Sequence, residues 1–209
     1  MIESFCNIIQ LITTGICTAV CFRHALLSGK RSSYMLSLAS FVYFLGDIYW
    51  ELYMVFYDST PDISYISDCS WYSTYLFLFL LLIDMRDKEQ KKYKSRLLWI
   101  IPVFTVGMCF FYMQWGQYLE NVICAVLMGL LIWQASDGVI YIHRCKEADK
   151  RKKWMYMSVL FFCFAEYGAW TTSTFWLGDT WINPYFWFDL LLSISFILFP
   201  LAYRKVVKD

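Results

Sequence analysis

Histidine and proline are scarce in this 209-residue chain, at 2 and 4 residues, and lysine and arginine are missing altogether from its long apolar segments. Two histidines, His24 and His143, each beside an arginine, are too few for a zinc site built on several imidazoles. The 8 cysteines include no CxxC pair, so a redox dithiol or a zinc ribbon is not expected. No glycine-rich phosphate loop occurs among the 9 glycines. Charged residues make up only 17% of the chain, whereas a soluble domain carries about 25%.

What is present is apolar: 59% hydrophobic, 21% aromatic, mean hydropathy +0.47. All 18 basic residues fall in four short stretches, 23–31, 86–96, 144–153 and 204–208. Between consecutive stretches the chain runs through an apolar segment, a polar patch without any base, and a second apolar segment. Lys and Arg concentrate on the cytoplasmic side of a membrane, so this alternation predicts both topology and orientation. With the flanking Asp84 and Asp209 the basic stretches hold 18 bases and 6 acids, a net of +12; the opposite patches hold Glu3, Asp58, Asp62, Asp68, Glu120 and Asp179, a net of −6. A basic inner face suits anionic lipid headgroups, so nucleic-acid binding is not needed to explain it.

A crossing takes about 20 residues. The segments 5–22, 34–56, 65–83, 97–113, 122–142, 154–177 and 185–203 supply seven. The expectation is an all-α, multi-pass protein of the plasma membrane (a bacterial cytoplasmic membrane is expected), with the N-terminus outside and the C-terminus in the cytoplasm. Glu3 stands where a signal peptide would carry bases, so the first segment reads as a mature helix. No loop exceeds about 15 residues, so function is expected in the bundle itself, as one domain over 1–209. Cysteines such as Cys6, Cys17, Cys21 and Cys163 read as small packing residues. Gly15 and Ala19 have small-residue spacing that allows close helix approach, here within one chain.

The first three and last three segments share an orientation, with 97–113 as the inverting connector. Tyr34, Met35, Leu38 and Gly46 align with Tyr156, Met157, Leu160 and Gly168, and Pro61 then Asp68 with Pro184 then Asp189. These pairs suggest a parallel duplication of 5–83 and 122–203.

Charges inside the apolar segments carry the functional reading. Asp47 and Glu51 lie in the second, Asp137 in the fifth, Glu166 in the sixth and Asp189 in the seventh. A charge at the bilayer centre costs about 2.5–3.5 kcal/mol, so such groups face a bundle interior or a wet cavity. No base sits in any segment core to neutralise them. Either they are protonated and hydrogen-bonded, or they share a cation or a polar ligand. Asp47, Glu51, Asp68 and Asp189 are expected to line an outward cavity, with Trp50, Tyr53, Trp71 and Tyr72 around it, suited to a cationic or amphipathic small molecule. The bland alternative makes Asp68 and Asp189 helix-start acids and Asp47 and Glu51 internal hydrogen-bonded groups. Of Trp50, Trp133 and Trp170, which lie deep, packing is the expected role. SDCS (67–70) and SDG (136–138) read as helix-start and packing features.

Residues 44–82, with Gly46, Asp47, Pro61, Asp68 and Tyr75, resemble a segment of the multi-helix membrane input modules of bacterial signalling proteins. That resemblance implies a ligand-sensing part that precedes a kinase or cyclase domain, which is not found before Asp209. The 3+1+3 plan resembles the small sugar and vitamin facilitators with parallel three-helix repeats, though their Pro-Gln pair is missing here. Two other seven-helix groups fit worse. Intramembrane zinc hydrolases of the alkaline ceramidase and adiponectin-receptor kind need several inward histidines. Microbial rhodopsins need a lysine in the last helix, which here has none before Lys205.

The leading expectation is a non-enzymatic transporter or facilitator of a small polar or cationic solute. Asp47, Trp50, Glu51, Asp68, Trp71 and Asp189 would bind it, Asp47 as the key carboxyl, and Glu166 would couple protons. A sensing module that signals through a cytoplasmic protein partner comes second, then a lipid-modifying enzyme, then a purely structural subunit. Membrane lipids are expected partners, and neither a cofactor nor a metal is expected.

Overall fold

The computed structural model describes residues 2–57, 59, 61, 65–176 and 178–207. Asp58, Asp62, Leu177, Lys208 and Asp209, to which a charge or a helix end was assigned above, lie outside them. The described residues are helical throughout, with no strand. Helices α1 (Ile2–Ser28), α2 (Arg31–Tyr57) and α3 (Tyr65–Asp84) come first, then a five-residue helix, α4 (Lys88–Lys92). Helix α5 (Ile100–Tyr112) is extended at both ends by 3-10 turns, and α6 (Tyr118–Arg144), α7 (Lys153–Phe175) and α8 (Pro184–Val207) follow.

Five of these are long and apolar enough to cross a membrane: α1, α3, α5 with its flanking turns (Arg96–Trp115), α6 and α8. Helices α2 and α7 have the length, 27 and 23 residues, but less apolar character. The reason is visible in what they bury. Helix α2 turns Ser33, Ser37, Ser40 and Asp47 inward, and α7 turns Ser158, Glu166 and Thr172 inward. Their exposed residues include Leu45, Leu52, Val55 and Phe56 on α2, and Met157, Phe164 and Phe175 on α7.

Packing runs in a ring. Helix α1 lies against α2, α2 against α3, α3 against α6, α6 against α7, α7 against α8, and α8 against α1. Helix α5 packs on the outside of α6. Exchanging α1, α2, α3 with α6, α7, α8 leaves this order of neighbours unchanged. The ring interior is aromatic in its middle: Tyr75, Tyr156, Phe162, Phe196 and Phe199 are all fully buried.

Glycines mark the tightest approaches. A side chain at Gly46 would meet Trp71 and Ser70 of α3, and one at Gly168 would overlap the Phe188 ring of α8. So the second helix of each triplet receives an aromatic of the third on a bare backbone. A side chain at Gly15 would come within 3.0 Å of the Phe44 ring of α2, so this small residue serves contact within the chain. Gly138 is covered by the Tyr156 ring, the packing role read for SDG.

Candidate functional site

One large cavity, about 350 Å³, opens at the end of the ring opposite the described basic residues. That volume lies in the range of small-molecule sites. Each helix of the ring reaches it with a stripe at helical spacing. From α2 come Tyr43, Asp47, Trp50 and Glu51; from α7, Glu166, Ala169, Trp170 and Ser173; from α8, Tyr185, Asp189 and Leu192. Positions i, i+3, i+4 and i+7 share one helix face, which is why the acids carry these neighbours with them. Helix α1 adds Asn7 and Gln10, α3 adds Asp68 and Trp71, and the start of α6 adds Glu120 with Gln117 just before it.

The α5–α6 turn explains those last two. Gly116 (φ 95°) and Gln117 (φ 51°) are both left-handed, and the Asn121 side chain donates to the Gly116 carbonyl at 2.9 Å. The chain thereby reverses within a few residues and sets Gln117 and Glu120 at the cavity rim.

Every residue expected to bind the solute lines this one cavity, and Glu166 does too. Tyr53 and Tyr72 do not. Tyr53 stacks along α2 with Tyr49 and Tyr57 at ring separations of 6.3 and 4.6 Å, and Tyr72 is buried beside Tyr75. Trp170, expected to be a packing residue, lines the cavity instead. Sequence reasoning missed Asn7, Gln10, Tyr43, Gln117, Glu120, Ser173, Tyr185 and Leu192.

A hydrogen-bonded chain ties the floor together. Thr14 donates to Asp47 Oδ2 at 3.0 Å. The Gln10 amide donates to Asp47 Oδ1 at 3.4 Å and to the Tyr43 hydroxyl at 3.2 Å. Tyr43 in turn donates to Glu166 Oε1 at 3.3 Å. Helices α1, α2 and α7 are thus joined through two carboxyls and their neutral partners. Asp189, on α8, is only 4% exposed, and its Oδ2 has no hydrogen-bond partner among the described residues. Aromatic faces form the wall: Trp50 and Trp71 lie 5.9 Å apart, and Trp71 is 6.2 Å from Tyr43.

Among the described residues the lining holds six carboxyls, from Asp47, Glu51, Asp68, Glu120, Glu166 and Asp189, and no Lys, Arg or His. Beneath the floor, Tyr43 rests on Phe196 at 4.5 Å and on Phe162 at 6.2 Å. This aromatic layer ends the cavity inside the bundle.

Asp137 belongs to a different site, where a base from outside the helix cores pairs with it in place of the protonation or shared ligand expected. Arg86, in the turn after α3, reaches back to Asp137 at 3.3 Å. Gln90 of α4 donates to the same Oδ2 at 3.1 Å and accepts from the Tyr156 hydroxyl at 3.2 Å. Lys152 meanwhile pairs with Asp87 at 2.5 Å and donates to the Met85 carbonyl at 2.7 Å. Short α4 is therefore pinned under the basic end of the ring, with Gln90 only 1% exposed. Lys205 sits 3.5 Å over the Trp154 ring at the same end.

Among the described residues, no group of three or more His, Cys, Asp or Glu side chains is arranged to hold a metal ion. The cavity thus combines carboxyl groups with aromatic walls. No known protein family, curated protein or solved structure matches the chain.

Proposed function

We propose that this chain is a seven-span membrane transporter or facilitator that takes a small cationic solute into the acid-lined cavity from the outer side. The carrying observation is the gathering of six carboxyls in one cavity that contains no base. A buried carboxylate without a countercharge is costly, as at Asp189, whose Oδ2 takes no hydrogen bond from the described residues, and a cation is the ligand that relieves the cost. Aromatic faces add cation–π attraction. Helices α2 and α7 complete the seven spans: their polar residues line the interior, so lipid meets their apolar side. Positive charge at the opposite end puts the N-terminus and cavity outside and the C-terminus in the cytoplasm, in a plasma membrane, bacterial by expectation. Single cysteines at the exposed positions 94 and 150, in a cysteine-free background, are expected to react with an impermeant maleimide only after the cells are opened. Labelling of intact cells would reverse the orientation.

Two closures lie between cavity and cytoplasm, the Phe162–Phe196 layer and the Arg86–Asp137–Gln90 clasp. The ring order of two like triplets suits a carrier in which such closures open in turn. Uptake of radiolabelled choline, ethanolamine and 1,4-diaminobutane into proteoliposomes tests the reading. At least one is expected to enter faster than into protein-free vesicles. Glu166→Gln is expected to abolish accumulation driven by a pH gradient while leaving downhill exchange intact, which is the result that proton coupling requires.

The inner closures also suit a second reading, a sensor that binds the cation and signals to a cytoplasmic protein through its basic loops. The likeness of residues 44–82 to signalling input modules supports it. Binding without flux would select it; neither binding nor flux would end both.

A further inference from the structure

We infer that the solute is a linear aliphatic diamine or its longer homologues, held at both ends, an inference that rests on the cation-binding reading above. The carboxyls differ in burial. Asp47, Glu166, Asp189 and Asp68 are 6%, 5%, 4% and 8% exposed, and the hydrogen-bonded chain joins Asp47 and Glu166 on the floor. Glu51 and Glu120 are partly exposed and stand at the rim. On α2 floor and rim are one turn apart, Asp47 to Glu51, a rise of about 6 Å. With bonds of about 1.5 Å, about four or five methylenes separate two ammonium groups by such a distance.

A monocation leaves this site unbalanced. Seated on the floor it cannot reach the rim acids, and seated at the rim it leaves the floor carboxyls buried without a countercharge. The Asp189 Oδ2 is the clearest unmet demand: it is buried, faces the cavity and takes no hydrogen bond from the described residues. A primary ammonium supplies three donors, whereas a quaternary ammonium supplies none. Between floor and rim stand Trp50 and Trp71, 5.9 Å apart, whose faces suit a methylene chain better than a hydrated polar one. A divalent metal does not fit the same acids, since no three of the described ligating side chains converge tightly enough to hold one.

The test is isothermal titration of the full chain in detergent with 1,4-diaminobutane, 1-aminobutane and choline. The diamine is expected to bind about tenfold or more tightly than the monoamine, the equivalent of one further charged hydrogen bond. Glu51→Gln, at the partly exposed rim, is expected to remove the preference, bringing the ratio of diamine to monoamine affinity down to about one. Asp189→Asn is expected to weaken both. If Asp189→Asn does not fold, the Glu51→Gln ratio alone decides. Equal affinity for diamine and monoamine, or a Glu51→Gln variant that keeps the preference, overturns the diamine inference and leaves cation binding standing. Binding of choline alone does the same. Binding of none of the three overturns both readings.

Discussion

Replacing Arg86 by alanine is expected to cost about 3 kcal/mol or more of folding stability, because it strands a buried carboxylate. Asp137 has a side chain only 4% exposed, and Arg86, at 23%, is the base within ion-pair distance of it. Breaking a buried pair from one side is costly even where the intact pair contributes little, since the remaining charge has no water to turn to. The sign of the rescue is therefore specific. Asp137→Asn removes the charge while the amide oxygen still accepts from Gln90, so the double variant Arg86→Ala with Asp137→Asn should recover most of the loss. Thermal unfolding of the four proteins in one detergent gives the coupling directly as a double-mutant cycle. Additive losses would mean that Asp137 does not depend on Arg86. The clasp matters beyond stability, because Gln90 links Asp137 to Tyr156 and so fastens α4 beneath the ring. In a carrier, loosening it should also raise leak flux of the same cations, an effect that a purely structural clasp would not produce.

The long helices were legible because lipid and water impose a simple code: apolar runs of fixed length, with bases at one end. Each of the seven expected segments coincides with a long helix, and α5 needed its two 3-10 turns to reach the length. Helix α4 was not legible. Its sequence KEQKK has no apolar period, and its position depends on one glutamine amide finding Asp137 and Tyr156 across the bundle. The Arg86–Asp137 pair joins residues 51 apart in sequence, and no local pattern announces it.

In the cavity, the acids were found by their cost and the neutral partners were not. Tyr43 lies one turn before Asp47, Trp170 one turn after Glu166, and Tyr185 one turn before Asp189, so helical spacing from each acid would have found all three. Tyr53, six residues from Asp47, falls on another face of α2, which is why it stays outside. Gln10 and Thr14 carry no charge and sit in an apolar helix with no signal to raise them. Only the packing of α1 on α2 brings them to Asp47. Glu120 was assigned to the loop because its helix begins just before it, at a turn set by the left-handed Gly116 and Gln117.

Asp47→Asn is expected to lower affinity for 1,4-diaminobutane by about 100-fold while the protein remains folded. The carboxylate is 6% exposed and its two oxygens accept from Thr14 and Gln10. These neutral donors orient it without cancelling its charge. An asparagine keeps the shape and still accepts from Thr14 through its amide oxygen, so the fold loses little. What it gives up is the negative charge that a bound ammonium needs at the floor, and a charge-assisted hydrogen bond is worth roughly twice a neutral one. Loss of the Coulomb attraction in a site shielded from water adds to that, which together makes about 3 kcal/mol a reasonable size, equivalent to the 100-fold change. Asp47→Leu reverses the balance. It removes the acceptor that Thr14 and Gln10 share, leaving Thr14 its bond to the Gln10 carbonyl and Gln10 its bond to Tyr43, and forces a larger apolar side chain among buried polar groups, a change that costs about 1–3 kcal/mol. A residue kept only for structure would thus show Asn tolerated with ligand response intact and Leu destructive. A binding carboxyl shows Asn folded and unresponsive. Ligand-dependent thermal shift and monodispersity of the two variants separate these cases, and an Asn variant that still responds to the diamine like the parent would remove Asp47 from the site.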